Sequence, residues 1–241
     1  MRKLLLGAAA ALAIAAPGVA SAQTGYFGGF AGNVDVDGVG DADVYGVEVA
    51  TTFDGGMGGL NFAVDGSIAS SDPGDDAVSI GGHLYGQSDT HLFGGFLGYV
   101  DGSGTQVISG GFEGLMFHNA WTFGGAVGYA QETETDIDGF GANGQANYFF
   151  NPNLRAHGGV GWFQIDDINT DAVTYTAGVE GALMETPFSL GVNYAATRFD
   201  DLNIDSDAWT VTLRYNFGGS LQDRTNSGAG LAGLSSLGSI F

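Results

Sequence analysis

The groups of this chain able to do chemistry are charged and imidazole side chains set at alternate positions of apolar segments. Glu48, Asp65, His83, Glu113, Arg155, His157, Glu180, Asn193 and Arg214 each lie on one parity, with aliphatic or aromatic residues on the other. Groups so placed can pair as ions, line a polar conduit that selects solutes by charge, or catalyse acyl transfer if a hydroxyl nucleophile stands beside a histidine. No serine lies beside His83 or His157 on the same face, and His91 and His118 fall at turns. The segment Asp35-Val-Asp37-Gly-Val-Gly-Asp41-Ala-Asp43 offers clustered carboxylates of the kind hard cations take. It lacks the EF-hand spacing and the closing glutamate, so it is a weak calcium candidate and reads more simply as a solvated acidic loop. The chain has no Cys, which removes thiol catalysis, Cys-ligated zinc and disulfide frameworks. Gly-rich strings such as Gly94-Gly95-Phe-Leu-Gly98 are not phosphate loops, because no helix follows and no lysine is at hand. No cofactor is expected.

The elements that must carry these groups are strands. Trp209-Thr-Val211-Thr-Leu213-Arg-Tyr215-Asn-Phe217 alternates apolar and polar residues, as do the segments 60–65 and 188–194. A period of two assigns one set of side chains to each face of a strand. No 3.6-residue apolar pattern is sustained after residue 22. Turn signals divide the chain into twelve expected strands at 25–34, 43–53, 60–70, 77–87, 90–100, 105–117, 120–130, 139–150, 154–165, 172–184, 187–198 and 207–217. In the fifth of these, Phe93, Phe96, Leu97 and Tyr99 populate both parities, so its faces stay ambiguous.

Charge narrows the class further. The 241 residues hold 27 Asp plus Glu against 6 Lys plus Arg, which argues against nucleic acid as a partner. Two of the six cations, Arg2 and Lys3, precede the 13-residue apolar run Leu4–Ala16, and Ala20-Ser21-Ala22 follows. That is a secretory signal with cleavage after Ala22, so residues 1–22 are assigned to export. The run is short of the roughly 20 residues a membrane-spanning helix needs. What remains has no lysine and four arginines. Of the 27 acids, 19 fall in every second connection between strands, and the alternate connections are tight turns. Sequential antiparallel strands put every second connection at the same end. One end is therefore expected to be acidic with longer loops, the other trimmed to short turns.

These features together resemble the small outer-membrane β-barrels of Gram-negative bacteria, the porin-like proteins, over about residues 25–217. The residues that carry the resemblance are the alternating strands, the two kinds of connection and aromatics near strand ends. On the turn side these include Phe53, Phe62, Tyr85, Phe117, Trp121, Tyr148, Phe150, Phe188, Tyr215 and Phe217; on the loop side they are Tyr99, Tyr129, Trp162, Tyr194 and Trp209. Even strand number, short periplasmic turns, longer extracellular loops and two aromatic girdles mark such barrels. The resemblance implies an all-β, transmembrane, antiparallel up-and-down barrel of twelve strands over 23–217, lodged in outer-membrane lipid. It also implies that the assembly machinery reads the last strand at Tyr215 and Phe217, preferred over the alternative signal at Ser239-Ile240-Phe241, whose surroundings lack the alternation. The 24 residues 218–241 depart from the pattern; they are rich in Gly, Ser and Ala and are expected to form a flexible periplasmic tail.

With the bulky apolar parity facing lipid, the nine residues named first become expected pore-lining groups. Arg155, His157 and Arg214 fall in the turn-side half, and Glu48, Asp65, His83, Glu113 and Glu180 near mid-height. Glycines on the inward parity (Gly29, Gly81, Gly95, Gly124, Gly128, Gly141, Gly159, Gly161, Gly191) leave room for a narrow lumen. The expected function is passive diffusion of small hydrophilic solutes with cation preference, without enzymatic activity. The alternatives are a closed structural or adhesive barrel with acidic loops and, behind it, a barrel hydrolase acting on lipid or peptide.

Overall fold

The computed structural model describes residues 23–57, 59–72, 74, 76–102, 104–134, 137–166, 170–184, 186–200 and 204–232. The signal assignment, with Ala20 and Ala22, lies outside these residues. All twelve expected strands form: β1 (Gly25–Val36), β2 (Gly40–Met57), β3 (Leu60–Asp72), β4 (Asp76–Gln87), β5 (His91–Gly102), β6 (Thr105–His118), β7 (Trp121–Glu132), β8 (Asp138–Asn151), β9 (Leu154–Ile165), β10 (Thr170–Ala182), β11 (Phe188–Phe199) and β12 (Ile204–Phe217). Each pairs antiparallel with its neighbours in sequence, and β1 pairs with β12 from Gly25–Phe217 to Val36–Ser206, closing the barrel. Closure leaves no sheet edge, so every strand has its backbone partners within the sheet.

The parity rule holds around the circumference. Phe93, Leu97, Phe112 and Met116 are more than 60% exposed on the outer face, and Val127, Val160, Val179, Leu190, Val211 and Leu213 continue that apolar belt. Aromatic pairs mark its borders: Trp121 with Tyr148, Phe188 with Tyr215 and Phe53 with Phe62 at one end, Tyr194 with Trp209 and Phe140 with Trp162 at the other. At the second end Tyr129 donates to Asp138 and Tyr194 to Asp207. Each ring keeps its body on the apolar belt and its hydroxyl on an acid at the rim.

Three expectations about this frame need correction. The acidic connection between β1 and β2 is shorter than expected, because strand pairing continues into it; Asp35 and Asp41 are register partners in that hairpin, and Asp205 and Asp207 lie within β12. Continued pairing satisfies backbone groups that an open loop would leave to water. Gly29 and Gly95 lie on the outer parity, opposite Val47 and Phe112, so Gly28 and Gly94 take the inner positions. Finally, Tyr85 and Phe96 turn inward, where both are buried, whereas Phe93 and Leu97 of the ambiguous fifth strand face out. Bulky side chains are admitted inside because something there covers them.

That cover is the segment after β12. Gly218 (φ 80°) and Gly219 (φ 145°) reverse the chain, at angles an L side chain rarely adopts. A Cβ on Gly218 would also meet the Gln23 carbonyl oxygen at 1.8 Å. A short helix α1 (Leu221–Thr225) follows, started by a capping box in which Ser220 and Asp223 exchange hydrogen bonds, and then a 3₁₀ turn at Gly228–Gly230. Leu221, Arg224, Thr225, Ala229 and Leu231 are buried. Residues 218–232, expected as part of a flexible tail, thus fold into the short-turn end of the barrel; residues 233–241 lie outside the described residues.

Candidate functional site

The site is the inner wall and the segment lying against it. Glu48, Gly28 and Arg214 stand at one level across β2, β1 and β12, and Glu180 stands opposite Arg155 across β10 and β9. Glu48 and Glu180 therefore lie near the short-turn end, at the level of Arg214 and Arg155, rather than at mid-height. The Glu180 carboxylate is the centre of a buried cluster. Oε2 accepts from Arg155 Nη2 at 2.7 Å, Arg214 Nη1 at 3.1 Å and Arg224 Nη2 at 2.7 Å; Oε1 accepts from Ser189 at 2.7 Å and Arg224 Nη1 at 2.9 Å. Arg214 also grips Glu48 with two nitrogens, at 2.6 and 3.2 Å. The guanidinium carbons of Arg214 and Arg224 sit 4.7 and 5.0 Å from the centre of the Tyr26 ring. Forked donors on a shared carboxylate, with an aromatic face behind two of them, suit Arg in a way Lys does not match.

A second cluster lies across β3, β4 and β6. His83 Nε2 is 2.5 Å from Asp65 and its Nδ1 is 2.6 Å from Glu113, both on the inner face. Gly81 makes the room: a Cβ there would stand 2.5 Å from an Asp65 oxygen. His157 and Asn193 flank Gly178 at the level above Glu180 and meet neither acid of this second cluster. The nine sequence-selected residues thus resolve into two ion clusters and a His157–Asn193 pair. No serine joins His83; the Ser88–His91 bond of 2.9 Å belongs to a turn, where Ser88 Oγ also accepts from the backbone of His91.

Sequence reasoning missed Arg224, placed in a segment without alternation, and Tyr26, whose parity matched the inner face. Asn33 donates to Asp43 in the β1–β2 hairpin, and among the described residues no group of three His, Asp or Glu is arranged to hold a metal ion. Between the inserted segment and the wall remains a cavity of about 370 Å³, lined in part by Gln145, Arg155, His157, Asn193, Thr210 and Arg214. The lumen is polar around this cavity and partly filled; elsewhere its wall is in part apolar, with Val107, Ala130, Phe163 and Ile165 packed together towards the acidic end.

The barrel has known likenesses. It aligns with KdgM porin in complex with disordered oligogalacturonate at a TM-score of 0.58 and 8% identity, over 79% of this chain and 99% of that one. The COG4313 outer membrane channel from Pseudomonas putida F1 gives 0.58 and 10% identity, over 80% and 96%. The anion-selective porin from Comamonas acidovorans gives 0.51 and 10%, over 80% and 98%. The chain shares the closed barrel fold of outer-membrane porins. No family model matches it, and no curated protein matches it in sequence.

Proposed function

We propose that the protein is an outer-membrane channel for passive diffusion of small hydrophilic solutes. Residues 1–22 would direct export, the short-turn end would face the periplasm and the acidic end the outside. Assembly would read the last strand at Tyr215 and Phe217. The observation that carries this reading is the outward-facing apolar belt, continuous around the barrel, with the charged side chains of the two ion clusters all on the inner face. Such a belt in water would be a large exposed apolar surface, and lipid is the medium that accepts it. The fold shared with porins supports the same reading.

Selectivity follows from where the charges stand. Glu48, Asp65, Glu113 and Glu180 face Arg155, Arg214, Arg224 and His83, so the lumen itself holds little net charge. Cation preference then rests on the acidic rim, where Asp35, Asp41, Asp43, Asp138, Asp205 and Asp207 gather. Arg198 pairs with Asp205 there, and the remaining acids leave the rim net negative, which raises the local concentration of cations at the entrance. The protein in planar bilayers is expected to give stepwise conductance with a reversal potential displaced towards that of the cation. An anion-displaced potential would overturn the preference. Solubility without detergent, or no heat-dependent shift in gel mobility, would overturn the membrane barrel.

The competing reading, a closed structural barrel, draws on the segment that crosses the short-turn end. Sustained absence of conductance with and without that segment would favour it.

A further inference from the structure

We infer that residues 220–231 are a plug that gates the lumen from the short-turn end, latched by Arg224 on Glu180 and by Leu231 in an apolar socket. The inference rests on the channel reading above. The two latches lie on opposed arcs of the wall. Arg224 meets Glu180 of β10 and Asn216 of β12, whereas Leu231 packs with Ala63, Tyr85, Leu92, Phe96, Leu115 and Ala126 of β3 to β7. Between them Asn226 accepts from Thr122 of β7 and Gln87 of β4, and Gln222 donates to the Asn119 carbonyl in the β6–β7 turn. A segment anchored on both arcs crosses the lumen. An α-helix with its side chains is about 10–12 Å across, and twelve strands fall between the filled eight-stranded barrel and the open channel of roughly sixteen. One short helix and a turn are enough to obstruct it.

The plug is built to leave. It adds no strand to the sheet, whose closure by β1 and β12 is complete without it. When Arg224 withdraws, Glu180 keeps Arg155, Arg214 and Ser189, so no carboxylate is stranded. The hinge is Gly218-Gly219, where the chain already turns at positive φ. Elements held by side-chain contacts outside the strand ladder open locally at lower cost than the strands they lean on.

Two sets of variants test the gate in planar bilayers, with the heat-dependent gel shift verifying that each barrel folds. The full chain is expected to show small, brief conductance steps. Arg224→Ala and a chain ending at Phe217 are expected to show several-fold larger, sustained ones. Because the protein has no Cys, Thr122→Cys with Asn226→Cys places one removable crosslink between wall and plug; the oxidised form is expected to stay closed and reduction to restore the brief steps. Equal conductance in all forms, or no effect of the crosslink, overturns the gate and leaves the channel standing. No conductance from any form overturns both. If the shortened chain fails to fold, the crosslinked pair decides.

Discussion

Arg224 and Glu180 are 44 residues apart in sequence, and their side chains meet at 2.7 Å inside the barrel, one on the chain's returning end and the other on the wall of β10. The same carboxylate holds Arg155 and Arg214. One acid thus organises three cations, and the consequences of removing either side of the pair are unequal.

Glu180→Gln is expected to destabilise the barrel by about 3–5 kcal/mol, because it leaves three buried guanidinium groups with Glu48 as their remaining carboxylate. Arg224→Ala is expected to cost distinctly less, since Glu180 keeps two arginines. Denaturant unfolding in detergent, followed by the gel shift, measures both; equal losses would contradict this account of the cluster.

His83→Ala is expected to destabilise by about 2 kcal/mol or more, because Asp65 and Glu113 lose their shared donor and face one another. Glu113 Oε2 already lacks a hydrogen-bond partner, so that acid has no second bond to fall back on. The unfolding midpoint reports it, and a midpoint at the wild-type value would show that the triad contributes nothing.

Val160→Lys, on the outer belt midway along β9, is expected to cost about 2–4 kcal/mol. Gly161→Lys, its neighbour on the inner parity, is expected to cost less and to shift the reversal potential towards anions; a Cβ there meets Asn143 and Thr174 at ordinary distances of 3.7 and 3.8 Å. Refolding yield into lipid vesicles and bilayer recordings separate the two. If the outer lysine is the better tolerated, the faces have been assigned backwards.

Replacing Asp35, Asp41 and Asp43 together by Asn is expected to reduce cation preference without altering the unfolding midpoint, since these acids sit on the rim away from both buried clusters. An unchanged reversal potential would move the origin of selectivity into the lumen.

Much of the barrel was legible because a strand in a membrane wall must alternate. Leu213-Arg-Tyr215-Asn-Phe217 declares its two faces by itself, and turn residues mark where each strand stops. The fifth strand was not legible: with Leu92, Phe93, Phe96 and Leu97 apolar on both parities, only its partners show that Leu92 and Phe96 point inward, into the socket that Leu231 fills. The acidic segments looked like loops because acids and glycines are poor strand formers, yet pairing carried β1, β2 and β12 through them.

By itself the sequence determined the number of strands, the face to which each charged side chain of the wall belongs, and which end is acidic, since all three follow from a period of two and an alternation of turns. Tertiary structure decided which charges share a partner and which segment enters the lumen. Arg224 lies in a stretch without periodicity, and local pattern carries no information about a carboxylate 44 residues away. Only closure of the sheet creates the enclosed, low-dielectric space in which that pairing becomes favourable.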